Sequence, residues 1–90
     1  MHIDIEWDAA KAAGNLRKHG VSFEEAATVL LDPVALARED DSSHDEPRWV
    51  IVGMSERARL LTVVYALRGA DRIRLISARR ATRSEAGEHA

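Results

Sequence analysis

Arginine dominates the chemistry that the sequence could support. Residues 48–83 contain nine basic side chains, all of them arginine, and two acidic ones. A guanidinium binds a phosphate group through two parallel hydrogen bonds and also stacks on nucleic-acid bases. Residues 1–47 have the opposite balance, with 4 basic and 11 acidic side chains, and residues 84–90 add 2 acidic ones. This asymmetry predicts a polyanion-binding surface, or arginines that pair with the acidic N-terminal half.

Three of these arginines and one tyrosine suit the cleavage of RNA by its own 2′-hydroxyl group. That reaction needs no protein nucleophile and no metal ion, because the attacking oxygen belongs to the substrate. It needs cations that stabilise the extra negative charge of the phosphate, and groups that move protons. Arg59, Arg79 and Arg80 are the candidates for holding the phosphate, and Tyr65, the single tyrosine, is a candidate for proton transfer.

Each of these side chains also has a purely structural interpretation. A tyrosine within an apolar strand is more often part of the core, with its hydroxyl at the rim. Arg48 and Arg74 are further candidates for RNA binding, and both could instead pair with acidic residues. Trp7 and Trp49 could stack on bases, but packing is the preferred interpretation in so small a domain.

A basic turn at Lys18, His19 and Gly20 adds two more candidates. Histidine exchanges protons near neutral pH, so His19 is a candidate proton carrier, and Lys18 is a candidate for binding phosphate. Basic residues are also favoured by the helix dipole in a last helical turn, and glycine commonly ends a helix. Local structure alone could therefore account for the turn.

Several function classes find no support in the sequence. There is no cysteine, no phosphate-binding glycine motif, and no pair of histidines at metal spacing, since His2, His19, His44 and His89 are scattered. We expect no metal and no cofactor. No apolar run is long enough to span a bilayer, and residues 1–8 lack the profile of a secretion signal, so we expect a soluble, cytoplasmic protein.

The elements that must position these residues can be read from hydrophobic periodicity and helix caps. Residues 2–7 alternate like a strand, and helices are predicted after Asp8 and after Ser22, where Glu25 completes a capping box. Phe23, Ala26, Ala27, Leu30 and Leu31 form the apolar face of the second helix. Four strands then follow from residue 34, with an acidic loop at residues 40–47, and a short frayed helix ends the chain. The sequence predicts one α+β domain over residues 1–90, with two N-terminal helices on an antiparallel sheet of about four strands.

Alternation in the last strand predicts which of its side chains share a face. Ile73, Leu75 and Ser77 should lie on one face, and Arg72, Arg74 and Ile76 on the other. Arg79 and Arg80 should point to opposite faces, so at most one of them is central. Arg79 is preferred, on condition that the strand end twists or bulges.

The ordered residues of this chain resemble the BrnT family of toxins from type II toxin-antitoxin systems. The resemblance covers nearly the whole chain. Its matching pieces are Trp7-Asp8, Lys11, Asn15, the Lys18–Phe23 run, Asp32-Pro33, Arg48-Trp49, Gly53, Ser55, Arg59, Val63-Val64-Tyr65 and Ile76-Ser77-Ala78-Arg79.

The resemblance implies a RelE-like fold and a metal-independent ribonuclease that inhibits translation. It also implies a BrnA-like ribbon-helix-helix antitoxin, a complex of two toxins and two antitoxins, and promoter binding through the antitoxin. The tail departs from the family, since His89 stands where relatives often carry an aromatic residue on a longer basic helix, so no RNA contact is expected from the last helix. The alternative is a binding module without catalysis, which pairs with an antitoxin or binds RNA.

Overall fold

The chain folds as an α+β unit in the predicted order of elements. The computed structural model describes residues 3–41 and 46–89, so His2, His44 and much of the predicted acidic loop lie outside the described residues. The elements are β1 (Asp4–Glu6), α1 (Ala9–His19), α2 (Phe23–Thr28), a 3₁₀ turn (Val29–Leu31), β2 (Leu36–Asp40), β3 (Arg48–Met54), β4 (Leu60–Leu67), β5 (Arg72–Arg80) and α3 (Arg83–His89).

The sheet has five strands in the order β1-β5-β4-β3-β2, and it is mixed. The prediction of about four antiparallel strands was wrong in both respects. Strands β2 to β5 form an antiparallel meander, whereas β1 pairs in parallel with β5 at the edge of the sheet. The meander reverses direction three times after the helices, and this brings β5 alongside β1 with the same orientation. Alternation along β1 indicated a strand but could not reveal its neighbour.

Helices α1 and α2 cover one face of the sheet, which we call the helix face. Val21, Phe23, Ala26 and Val29 are fully buried there against Leu61, Val63, Leu75 and Ala78. Trp7 packs edge-on against Phe23, with ring centroids 5.9 Å apart, and Trp49 packs against the same core, which confirms the packing interpretation of both tryptophans. The opposite face of the sheet therefore remains for other contacts.

Local sequence signals account for the helix ends. The Asp8 carboxylate accepts hydrogen bonds from the backbone of Ala10 and Lys11, and Gly20 ends α1 in the left-handed conformation at φ 71°. Ser22 caps α2 by accepting a bond from the Glu25 amide. The reciprocal bond of a capping box is not formed, because the Glu25 side chain turns into the protein instead.

The second helix is shorter than predicted, and its end lies very close to β3. The chain tightens into the 3₁₀ turn after Thr28, and this leaves Leu31 exposed instead of on the buried face. A Cβ atom at Gly53 would come within 2.8 Å of both Val29 and Ala35. Only glycine at this position of β3 allows the 3₁₀ turn to pack so closely on the sheet.

Asn15 joins α1 to the free edge of β5. Its side-chain amide donates to the carbonyl oxygens of Val21 and Ala78, at 2.9 and 2.8 Å, and its oxygen accepts from the Ala78 amide at 3.1 Å. Strand β1 pairs with β5 only at residues 72–74. The Asn15 side chain thus bonds both backbone groups of Ala78 beyond the end of β1, and Asn15 is itself buried.

A bulge in β5 changes the predicted faces of its side chains. Tyr65 of β4 pairs with Leu75, but the preceding Val64 pairs with Ser77, so Ile76 is the extra residue. Ser77 therefore lies on the face of the sheet opposite to Leu75, and the prediction that Leu75 and Ser77 share a face was wrong. Arg79 and Arg80 do lie on opposite faces, as predicted, because Arg79 pairs with Thr62 and Arg80 with Leu61.

The last helix lies against the other face of the sheet and is attached at both ends. Glu85 and Thr82 form a capping box, and Glu85 also bonds Thr62 of β4. The ring of His89 lies 2.9 Å from Asp32 Oδ2, which also accepts from the Met54 amide. No residue of α3 is fully buried, so polar contacts hold it in place. No helix in residues 3–41 and 46–89 is long and apolar enough to cross a membrane.

Replacing Asn15 should destabilise the fold. Asn15→Ala leaves three backbone groups without their partner inside the protein, and we expect it to lower the free energy of unfolding by about 2–4 kcal/mol. Urea denaturation followed by circular dichroism measures this loss. Lys11→Ala, on the exposed side of the same helix, is the matched control and should change stability by less than about 0.5 kcal/mol. Equal stability of the two variants would contradict the assigned role of Asn15.

Acid should release α3 before the sheet unfolds. Hydrogen bonds from Arg79 lower the pKa of Glu85 from 4.5 to about 2, and bonds from the Met54 and Val34 amides lower that of Asp32 from 3.8 to about 2. These contacts therefore stabilise the docked helix above about pH 4.5 and are lost as the pH falls towards 2. NMR chemical shifts of residues 83–89 should move towards random-coil values between pH 5 and 2. Helical shifts retained at pH 2 would contradict this expectation.

Candidate active site

A buried carboxylate organises the corner between the two N-terminal helices. Glu25 is only 2% exposed, and its carboxylate accepts bonds from Ser55 Oγ at 2.7 Å and from Nε of Arg59 at 2.9 Å. Its other oxygen accepts from Arg59 Nη2. The bonds from Arg59 are the main cause of a lowered pKa of Glu25, against the opposing effect of burial. Glu25 therefore remains charged and bound to Arg59.

This ion pair attaches the β3–β4 turn, residues 55–59, to α2, which contains Glu25. Ser55 Oγ accepts from the Arg57 and Arg59 amides, and the Glu56 amide donates to Thr28 of α2. Arg59 Nη2 also donates to the Gly20 carbonyl at 3.2 Å. Arg59 thus bridges three segments of the chain.

The hydrogen bonds of Arg59 leave it little capacity for a phosphate group. A guanidinium has five N–H donors, and the fork formed by Nε and Nη2 is occupied by Glu25. The second Nη2 hydrogen is directed at Gly20, so Nη1 alone remains. A bidentate phosphate contact therefore requires Arg59 to break its ion pair. The structure favours a positioning role for this residue.

Lys18 and His19 lie beside Arg59, in the last turn of α1. Lys18 is exposed and His19 is half-buried, immediately before the Gly20 carbonyl that Arg59 contacts. Arg80 is exposed at the end of β5, where the chain pairs with the start of β4. We call Lys18, His19, Arg59 and Arg80 the basic corner. These four sequence-predicted residues thus lie on neighbouring segments, since Arg59 contacts the residue after His19 and Arg80 pairs with Leu61.

The three remaining candidate arginines, Arg48, Arg74 and Arg79, lie on the sheet face opposite α1 and α2, which we call the arginine face. Arg74 and Arg48 flank Ala66, because both pair with it across adjacent strands. Arg79 pairs with Thr62, farther along the same face of β4. The Nε atom of Arg48 is buried on this face with no hydrogen-bond partner among residues 3–41 and 46–89.

Arg79 differs from Arg59 in which of its donors are free. Its Nη1 donates to Glu85 Oε1 at 2.8 Å and to the Arg80 carbonyl at 3.2 Å, and its Nη2 donates to Glu85 Oε2 at 2.8 Å. The adjacent edge of the guanidinium, formed by Nε–H and the second Nη2–H, has no partner among the described residues. The side chain is 42% exposed, and two adjacent N–H groups of this kind have the geometry that binds a phosphate.

Tyr65 is separate from both groups. It is 9% exposed on the helix face, between Trp49 and Leu75, and burial raises the pKa of its hydroxyl. Tyr65 lies six positions along the chain from Arg59, or about 20 Å at roughly 3.3 Å per residue of strand. The structure therefore does not bring Tyr65 to the basic corner, and its position resembles that of a core residue.

Sequence reasoning missed the two polar residues that organise the corner. Glu25 was interpreted as half of a capping box, and Asn15 only as a matching position in a family. The sequence did contain a signal for each residue. Glu25 is an acidic residue within an apolar helix face, and Asn15 is an asparagine in an alanine-rich helix. A polar side chain that is buried at such a position needs hydrogen-bond partners inside the protein. Within the described part of the chain, no group of His, Asp and Glu side chains could hold a metal ion.

Comparisons with known proteins agree with this architecture. A family model described as the ribonuclease toxin BrnT of type II toxin-antitoxin systems matches residues 7–85. Among solved structures, the crystal structure of the Brucella abortus ribonuclease toxin BrnT is similar, with a TM-score of 0.67 and 24% identity. The match covers 90% of this chain and 99% of that one, and it shows a shared fold. A search of curated proteins gave no match.

The structural role of Arg59 can be separated from a role in RNA binding by measuring stability. Arg59→Ala leaves the buried Glu25 carboxylate without its cation, so we expect the melting temperature to fall by at least about 5 °C. Arg57→Ala, an exposed arginine of the same turn, is the matched control and should melt like the wild type. Thermal unfolding at pH 7 measures both. An Arg59→Ala variant with unchanged stability would refute the bridging role.

Proposed function

Since the chain belongs to the BrnT family of ribonuclease toxins of type II toxin-antitoxin systems, we propose that it is an endoribonuclease that cleaves RNA without a metal ion and thereby inhibits translation. The attacking group is the 2′-hydroxyl of the RNA itself. The protein supplies cations for the phosphate and groups that transfer protons.

The open donor pair of Arg79 is the observation that supports this proposal most directly. Two adjacent N–H groups match the spacing of two phosphate oxygens, and they belong to a side chain at the end of β5 that is 42% exposed. Arg79 therefore holds the reacting phosphate. Arg74 and Arg48, on the same face, bind neighbouring parts of the RNA chain.

The basic corner supplies the remaining groups. Arg79 and Arg80 are consecutive residues on opposite faces at the end of β5, so an RNA chain that contacts both the arginine face and the basic corner must cross that end of the sheet. Lys18 and Arg80 bind RNA there, and His19 is the candidate proton carrier. Arg59 contributes by holding the corner together through Glu25. Tyr65, buried at the centre of β4, has no evident route to the substrate.

An antitoxin partner follows from the family, because each type II toxin is neutralised by a cognate protein. We further propose that this partner is a ribbon-helix-helix protein similar to BrnA, that the complex contains two copies of each chain, and that promoter DNA is bound through the antitoxin. The expected site of action is the cytoplasm, where both cellular RNA and the antitoxin are found.

A non-catalytic binding module is the second candidate. It is favoured because two of the proposed catalytic side chains are not free to act on RNA: Arg59 is bound to Glu25, and Tyr65 is buried. A protein of this kind would retain the arginine face and bind RNA or an antitoxin without cleaving the RNA.

Incubation of the purified protein with total RNA in EDTA separates the two functions. We expect shortened RNA, and we expect Arg79→Ala to slow cleavage by about 100-fold, as does the loss of one donor to a developing oxyanion. Arg68→Ala is the matched control, because Arg68 is also a partly exposed, ion-paired arginine but lies at the opposite end of the strands. Its activity should stay within about twofold of the wild type. RNA that shifts in a native gel but keeps its full length would favour the binding module.

A further inference from the structure

Glu85 is the residue that fixes the orientation of Arg79. Its Oε1 accepts from Arg79 Nη1, from Thr62 Oγ1 and from the Thr82 amide, each at 2.8 Å, and its Oε2 accepts from Arg79 Nη2. Thr62 is only 2% exposed, so the carboxylate is bonded to a buried point of the sheet. The guanidinium is therefore held in one plane by a carboxylate that is itself held by two further groups, Thr62 Oγ1 and the Thr82 amide.

We propose that Glu85 is a positioning residue for Arg79, which directs the open edge of the guanidinium towards the phosphate of the RNA. The proposal rests on the proposed function of Arg79. Glu85 itself touches no substrate and acts only through the arginine.

Which N–H groups of Arg79 are bonded by the Glu85 carboxylate determines whether Glu85 positions the arginine for phosphate or blocks it. Glu85 bonds the two terminal nitrogens of Arg79, and the edge formed by Nε and Nη2 has no partner among the described residues. A carboxylate that masked the arginine would occupy that edge, as Glu25 does with Arg59. Glu85 therefore removes rotational freedom from the side chain while leaving a bidentate site for phosphate. An arginine ordered in this way loses less entropy when it binds.

This role gives α3 a purpose that its packing does not explain. The helix has seven residues, none of them fully buried, and it is attached through Glu85 at one end and His89 at the other. A helix so short is marginal without tertiary contacts. Its contribution is to bring the Glu85 carboxylate to the end of β5, although the helix itself need not touch RNA.

A double-mutant cycle tests the proposal. Glu85→Ala, Arg79→Ala and the combined variant are compared with the wild type in two measurements, the single-turnover cleavage rate and the affinity for a 2′-O-methyl RNA that cannot be cleaved. We expect Glu85→Ala to slow cleavage by about 10–100-fold, because misplacement of a catalytic group has costs of this order, and to weaken the affinity by a smaller factor. In the Arg79→Ala background, Glu85→Ala should have no further effect. Glu85→Gln, which keeps one oxygen acceptor, should be intermediate.

Two controls separate positioning from a general loss of structure. His89→Ala loosens the far end of α3 without touching Arg79 and should cleave RNA within about twofold of the wild type. Circular dichroism melts of all variants verify that the sheet remains folded.

The outcomes are distinct. Additive effects in the cycle, an unchanged rate in Glu85→Ala, or tighter RNA binding by Glu85→Ala would each overturn the positioning role. Failure of the wild type to cleave RNA would instead overturn the proposed nuclease. If the wild type does not cleave RNA, a non-additive loss of RNA affinity in the same cycle would still support Glu85 as the residue that orients Arg79. If Arg79→Ala also leaves the RNA affinity unchanged, both the positioning role of Glu85 and RNA binding by Arg79 are overturned.

Discussion

The fold depends on one asparagine side chain that takes the place of absent strand pairing. Strand β1 is too short to cover the edge of β5, and an unpaired backbone in the interior would be costly. Asn15 satisfies both polar groups of Ala78 and also binds Val21 in the loop between the helices. A single side chain thereby fixes α1 on the sheet, sets the path of the chain into α2, and holds the segment from which Arg79 and Arg80 project.

Two arginine–glutamate pairs of similar composition have different consequences because the arginines offer different edges. Arg59 gives its side edge to Glu25 and its remaining Nη2 hydrogen to a carbonyl, so its charge is used to join segments of the protein. Arg79 gives its terminal nitrogens to Glu85 and keeps the side edge. Charge alone therefore does not identify a phosphate-binding arginine. The number and arrangement of the remaining N–H groups is the more informative criterion.

Much of the fold could be predicted from the sequence, since element order and helix caps are local properties. Asp8, Gly20 and Ser22 lie where capping rules place them. The parallel position of β1 and the bulge at Ile76 were beyond such rules, because both depend on pairing between distant segments. The same limit applied to the site. The sequence identified the arginines as a group but not their partners. Glu25 lies 34 residues from Arg59, Glu85 lies 6 residues from Arg79, and each glutamate bonds a different edge of its arginine.

The pairing of β1 with β5 also determines when the chain can fold during its synthesis. Asn15 and Ala78 are 63 residues apart, and β1 finds its partner only in the last strand. Contacts between such distant segments slow folding, because a long loop must close before they form. The N-terminal helices therefore have no completed sheet to pack on until β5 has left the ribosome. Arg74, Arg79 and Arg80 all lie on β5, so the arginine surface cannot assemble before this strand has been synthesised.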